Sequence, residues 1–490
     1  MFTDERRCDV CSEIRQHDIR AFARFLTTAV FAEALARTGA RLVKSPLHLM
    51  NLVFLGIAAA RHTQESFATV LTMTLKLLQD QQQFAHSTLG KAKKNGRRNQ
   101  RRRSKHDPRR NDSTEVSEEA FAQARQKMPL QFWLHLIVIL GERFEAEHGD
   151  RHRFRGFRVL AMDGTHINLP NWKANRDYFG TARNKTGAHN VQAHMVMLQF
   201  PFTRLPFRYE LTPLADGEVT LALRLVQHLR PGDLVLLDAG YWSYGLLQAI
   251  AARGAYFAIR VSCKLNQKTL RRLESNGKDR LIRWTPKDSR GQWRKLGLPR
   301  SIDLRVLEYR VPGYRSQKIA TNVLEPEKIS RADWTRLTTE CGDAGRKLLP
   351  GLFHRRWEIE TSYHELKVDQ GMDRHLRSRT PESIRYEIAG HVVLYLLTRW
   401  LMVEAAVKHR LDPLRLSFVE AQRELKAMSP SLVTASACWA AQTLMPRLLE
   451  RIAQHQVPSR PGRHYPRRKK TNRKDKHSAP SKAKKVKNEA

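Results

Sequence analysis

Two apolar runs that each close on an aspartate constrain this chain more than any other feature. Phe157-Arg-Val-Leu-Ala-Met-Asp163 and Asp233-Leu-Val-Leu-Leu-Asp238 are almost continuously apolar, and a Gly follows each closing Asp within two residues. Runs of this kind read as buried strands of an α/β sheet. Between them, Asn190–Leu198 and Phe207–Leu214 alternate apolar and polar residues as two further strands. Ala215-Asp216-Gly217-Glu218 turns the chain into a helix over Val219–Leu229, and Pro231-Gly232 turns it into the second Asp-ended strand. The order is strand–strand–strand–helix–strand. Catalytic groups commonly gather at strand ends in such sheets. Asp-Gly is also ordinary turn chemistry, so neither aspartate identifies a site by itself.

A third acid comes from Leu352-Phe-His-Arg-Arg-Trp-Glu-Ile-Glu-Thr-Ser-Tyr-His-Glu-Leu-Lys367, which has no Gly or Pro and reads as one helix of more than four turns. At helical spacing Arg356, Glu360 and Lys367 fall within about 40° of one another on one face. Leu352, Ile359, Tyr363 and Leu366 form an adjacent core-facing stripe, and Glu358 and Glu365 fall on the far side. The plain alternative is a solvated face with an i,i+4 Arg–Glu pair. Converging, Asp163, Asp238 and Glu360 suit two divalent metal ions acting on a phosphodiester. Three facing acids repel, so the site needs the cation or a nearby Arg or Lys to stay ionised, and Arg356 and Lys367 are the nearest candidates.

Charge points to the substrate. The net charge is +39, which calls for a polyanionic partner, nucleic acid first. Lys91–Arg110 carries 11 basic residues and one Asp, and Gln456–Ala490 carries 13 against two acids. The remainder still holds 63 basic and 45 acidic residues, so the folded body itself should track phosphates. Five cysteines exclude a disulfide scaffold, and Cys8-x-x-Cys11 lacks the second half of a zinc site. The longest apolar-leaning run, Leu47–Ala60, is too short to span a bilayer, so a soluble cytoplasmic protein without membrane contact is expected. Residues 1–88 read as a helical N-terminal domain, for DNA-end binding or dimerisation, with helices over Ile19–Leu35, from Ser45-Pro46, and over Gln64–Gln82. Residues 89–112 and 456–490 read as a disordered basic linker and tail. The catalytic domain is expected over 113–455, with a β-rich insertion at about 255–340 and helices again over Met372–Ala406.

These residues resemble the DDE transposases of bacterial insertion sequences, specifically the IS-four family. Its Tyr-x2-Arg-x3-Glu-x6-Lys signature reads here Phe353-x2-Arg356-x3-Glu360-x6-Lys367, with Phe for Tyr. Asp163-Gly-Thr-His-Ile-Asn-Leu and Asp238-Ala-Gly-Tyr241 resemble the two Asp blocks, although an Arg often follows the second Asp in the family. The resemblance implies a ribonuclease-H-like core, mixed sheet flanked by helices, and cut-and-paste transposition. Two Mg²⁺ ions, or Mn²⁺ in their place, would be held by Asp163, Asp238 and Glu360, with Arg356 and Lys367 on DNA phosphate. It further implies double-stranded DNA partners (terminal inverted repeats and target), a homodimer in the synaptic complex, and nucleoid association. In relatives that form a hairpin a flipped base stacks on a Trp; Trp242, Trp284 and Trp293 are the candidates, with ordinary packing the simpler role. Two alternatives are a ribonuclease-H-like nuclease that cuts without joining and an inactive DNA-binding descendant.

Overall fold

The computed structural model describes residues 21–22, 24–39, 49–66, 69–70, 123–124, 128–183, 189–261, 270–287, 291–309, 317–339 and 347–458. Cys8 and Cys11, the linker at 89–112, the Ser45-Pro46 helix start, most of Gln64–Gln82 and the tail beyond 458 lie outside them.

In chain order the helices α1 (Thr28–Thr38), α2 (Leu49–Arg61) and α3 (Leu130–His148) come first. α1 ends as its sequence dictates, with Gly39 at φ +68°, a left-handed cap that only glycine adopts without strain. Next come β1 (Arg153–Phe154), β2 (Phe157–Asn168), α4 (Lys173–Phe179), β3 (Thr181–Arg183), β4 (His189–Phe200) and β5 (Leu205–Pro213). The helix α5 (Glu218–Val226), β6 (Asp233–Leu237), α6 (Tyr244–Ala252) and β7 (Tyr256–Arg260) complete the first part of the sheet.

The insertion supplies β8 (Leu270–Asn276), β9 (Asp279–Trp284), β10 (Ile302–Tyr309) and β11 (Gln317–Thr321). It does not form a separate layer. Its strands continue one sheet in the order β3-β4-β2-β6-β7-β11-β10-β9-β8, with β5 also on β4 and β1 on β2. Among the described strands only β2, β6 and β7 are parallel to one another. The result is a mixed α/β fold.

The last helices are α7 (Glu358–His364), α8 (Pro381–Lys408), α9 (Phe418–Thr434) and α10 (Met445–Gln454). α8 starts where Thr380 caps the Ser383 N–H and Pro381 takes the first turn. It, and not Leu47–Ala60, is the long apolar segment: its length and composition would let it cross a bilayer, but 94% of its apolar stretch is buried inside the fold. α2 crosses it backbone to backbone: a Cβ on Gly390 would sit 2.6 Å from the Gly56 carbonyl oxygen. Side chains of α1, α2, α3 and α8 share one hydrophobic core with the sheet.

The register of the central strands is pinned at one end. Arg158 opens the β2–β6 ladder opposite Asp233, and its guanidinium donates two parallel 2.7 Å hydrogen bonds to the Asp233 carboxylate. Glu145 on α3 accepts a third at 2.9 Å. Burial makes this pair sensitive to the loss of either member.

Candidate active site

The site is built at the other end of the same two strands. Met162 and Leu237 are the last residues paired in the parallel ladder. An aspartate follows each, so register alone sets Asp163 beside Asp238. One expectation is corrected here. β2 does not turn at Asp163-Gly164; it runs on to Asn168, because β4 keeps pairing with it as far as Gln192. Asp163 therefore marks the end of the parallel ladder rather than the end of the strand.

Glu360 arrives from the α7 side, and the expected continuous helix is also corrected. Leu352–Trp357 is wound as 3-10 turns, α7 follows, and Glu365–Asp369 widens to an i→i+5 turn closed by the Gln370 N–H on the Glu365 carbonyl, 2.7 Å. Ile359 and Leu366 are buried as the periodicity requires, and the Tyr363 hydroxyl donates to the Asp163 carbonyl at 2.7 Å. The far side is not solvent. Glu365 accepts from Tyr395 at 2.8 Å, from Arg399 and from Arg204 at 2.8 Å, and Arg204 also donates to Glu358 at 2.8 Å. This buried ion cluster seats the glutamate segment against α8.

Arg356 stands among the three acids. Its Nη1 is 3.5 Å from Asp163 Oδ2 and 3.5 Å from Glu360 Oε1, and its Nη2 is 3.6 Å from Asp238 Oδ1. The guanidinium side chain is 4% exposed, against 44% for Glu360. Four of the five expected site residues thus converge on one point. Lys367 does not join them. Its ammonium donates to the His166 carbonyl at 2.6 Å and Thr165 Oγ1 at 3.2 Å, and pairs with Asp373 at 3.3 Å. It lies further along β2, because seven residues of helix carry it about 10 Å beyond Glu360, to Thr165 and His166 rather than to Asp163. Phe353 is buried, with its ring in the core.

Burial first, then the charges of Glu360 and Asp238, push the Asp163 carboxyl up to about 6; the Gly164 N–H and Arg356 oppose the shift. Burial and then the surrounding charges of Asp163, Glu218 and Asp238 raise the Tyr241 phenol well above its ordinary range.

Several residues at the site escaped the sequence reading. Arg260, the last residue of β7, reaches Asp238 Oδ2 at 3.1 Å, and only the β6–β7 pairing brings it there. Glu218, the first residue of α5, looked like turn chemistry before a helix. The three tryptophans named from the sequence as base-stacking candidates pack with one another: Trp242 and Tyr244 lie against Trp284, ring centroids 5.3 and 5.4 Å away, and Trp293 joins through Tyr244.

The donor set fits a divalent cation. Carboxylate oxygens are the ligands hard cations take. Asp238 Oδ1 is buried without a hydrogen-bond partner, and a guanidinium stands in as the local positive charge. Among the described residues the acids around Arg356 stand further apart than the grouping Glu147, His148 and Glu404, whose ligand atoms lie within 4.8 Å of one another. That grouping, however, lies on α3 and α8, and Arg24 already pairs with Glu404.

Comparison with known proteins adds three likenesses. The family model described as Transposase DDE domain matches residues 155–397. Over 377 residues the chain is 26% identical to the transposase InsG for insertion sequence element IS4 of Escherichia coli (strain K12), covering 72% of this chain and 76% of that protein. A piggyBac transposase, in a cryo-EM synaptic complex with hairpin DNA, aligns over 91% of this chain and 87% of its own at 12% identity, with a TM-score of 0.38.

Proposed function

Because this chain belongs to the DDE transposases, in the IS4 family of insertion-sequence enzymes, we propose that it moves a DNA element by cut-and-paste chemistry at Asp163, Asp238 and Glu360. The carrying observation is the single guanidinium, Arg356, within 3.6 Å of all three carboxylates. Transposases of this family use divalent metal; Mg²⁺ is the ion proposed here, with Mn²⁺ able to replace it. Bound at the acids, such ions supply charge to activate an attacking oxygen and to stabilise a leaving one.

The chain's own residues do the rest. Register and the Tyr363–Asp163 hydrogen bond hold Asp163 in place. Arg260 fixes the Asp238 carboxylate from the side. The Glu365 ion cluster holds the Glu360 segment. In the first step water attacks a phosphodiester at the element end, breaking the P–O3′ bond and freeing a 3′-hydroxyl. In the second, that hydroxyl attacks a target phosphodiester and releases a target 3′-hydroxyl. Lys367 and the basic body are proposed to bind DNA phosphate, and Arg356 to meet phosphate once cations neutralise the acids.

Three antiparallel strands (β5, β4, β2), a helix, then two parallel strands (β6, β7) support a ribonuclease-H-like core. Double-stranded DNA, meaning terminal repeats and target, and a homodimer in the synaptic complex are the proposed partners.

The test uses purified protein, Mg²⁺ and linear DNA bearing the element's own ends, beside Glu360→Gln. End cleavage followed by insertion into a second DNA, lost in the variant, supports the reading. Cutting without joining favours a nuclease. Equal cleavage by Glu360→Gln refutes the assignment of that residue.

A further inference from the structure

Glu218 approaches the paired aspartates from the α5 side. A methyl built on Gly164, the residue after Asp163, would lie 3.0 Å from Glu218 Oε1 and 3.2 Å from the Tyr241 hydroxyl. One built on Gly240, two residues after Asp238, would lie 3.5 Å from Glu218 Oε2. The carboxylate therefore lies against both aspartate segments, and at Gly164 a side chain would crowd it. Among the described residues its one ion-pair partner is His194, at 3.5 Å, and no Lys or Arg pairs with it. The Tyr241 hydroxyl beside it is fully buried and has no hydrogen-bond partner. A buried hydroxyl left unpaired is costly, so the fold keeps a polar group aimed at this point without a protein partner for it.

We infer that Glu218 is a fourth carboxylate of the metal site, sharing one divalent ion with Asp163 and Asp238. This rests on the proposal that the three acids bind metal. The rival role is structural: an acid in the first turn of α5 that complements the helix N-terminus and His194. Gln at 218 keeps the length and a hydrogen-bonding oxygen but removes the charge a metal needs.

The experiment is Mn²⁺ binding to the full-length protein, followed by calorimetry and by the Mn²⁺ electron paramagnetic resonance signal. Wild type is compared with Glu218→Gln, Gly164→Ala, Asp163→Asn, Glu360→Gln and His194→Gln. Glu218→Gln should weaken Mn²⁺ binding by ~10-fold or more, the scale seen when even supporting groups of a metal site are removed. Its melting temperature in EDTA should stay near wild type. Gly164→Ala should weaken binding too, by filling the space, and His194→Gln should leave it unchanged. Weakened binding in Asp163→Asn and Glu360→Gln with wild-type binding in Glu218→Gln overturns the inference and leaves the three-acid site standing. Wild-type binding in every acid variant overturns both. Equal loss in Glu218→Gln and His194→Gln assigns Glu218 the structural role.

Discussion

Replacing Arg356 with Met tests whether the guanidinium stands in for a metal ion. Its contacts with Asp163 and Asp238, at 3.5 and 3.6 Å, join groups that are 4%, 18% and 27% exposed. At an effective dielectric near 20, each such pair is worth about 4–5 kcal/mol of Coulomb energy before desolvation. The Glu360 contact adds little, because that carboxylate is 44% exposed and screened. Removing one partner of a buried pair costs ~3–5 kcal/mol, and here it also leaves three acids facing one another. For a chain of 490 residues the unfolding entropy makes this about 1 °C per kcal/mol, so the metal-free variant should melt roughly 4 °C lower. Saturating Mn²⁺ should then restore much of the loss, since an ion that binds only the folded state stabilises it by mass action. The assay is a pair of melts above pH 7, in EDTA and in excess Mn²⁺. The reasoning is refuted by a variant that melts like wild type in EDTA, or by Mn²⁺ stabilising both proteins equally.

Glu365→Gln should lower stability by ~3–5 kcal/mol in denaturant titrations, because buried Arg204 and Arg399 lose their shared counter-ion; an unchanged midpoint would remove the ion cluster from the account. Gly390→Ala should destabilise by several kcal/mol or block soluble expression, since its methyl meets the backbone of Gly56. Burial holds His152 and His391 down to about 3 from 6.5, so the unfolded chain binds more protons across that window and stability falls as pH drops below about 6.5. Asp163 works oppositely without metal: its pKa is raised from 3.8 to about 6, so its contribution is lost as pH rises through that interval. The two larger histidine shifts should win, giving acid destabilisation that His391→Gln flattens; melts from pH 3 to pH 7 check the sign. Asp163→Asn and Asp238→Asn should abolish strand cleavage while leaving DNA binding nearly intact, measured by gel shift beside the cleavage assay.

The central strands were legible because strands buried on both faces need unbroken Val and Leu, and Asp at the ladder ends stood out against that background. What propagates from long-range pairing was not. Arg260 meets Asp238 only through the strand next door, and Arg204 meets Glu365 across 161 positions of chain. Glu365 was placed only on the far side of the helix from Glu360; its burial depends on two arginines that no local pattern announces. Lys367 was placed on the right face by regular spacing, but a helical wheel ignores rise: seven residues put it about 10 Å along the axis from Glu360, where it meets Asp373. Glu218 was hidden for a different reason: acids in a first helical turn are common for capping alone. The β-rich character of the insertion was visible, but the strand β8 and the continuation of the central sheet were not.

The pinned end of the β2–β6 pair has one more consequence. Arg158 and Asp163 are five residues apart, and so are Asp233 and Asp238, in strands locked in register. The buried ion pair therefore acts as the zero mark of a ruler whose fifth graduation is the reactive centre. A slip of one residue would turn one aspartate to the opposite face of the sheet and, in the same movement, pull Arg158 off Asp233. Misassembly at the chemistry is thus penalised at a distance, where no DNA or metal has to be present. A single-residue deletion in either interval should therefore destroy the site, and shortening both intervals together should not rescue it, because both aspartates would then face away from Arg356.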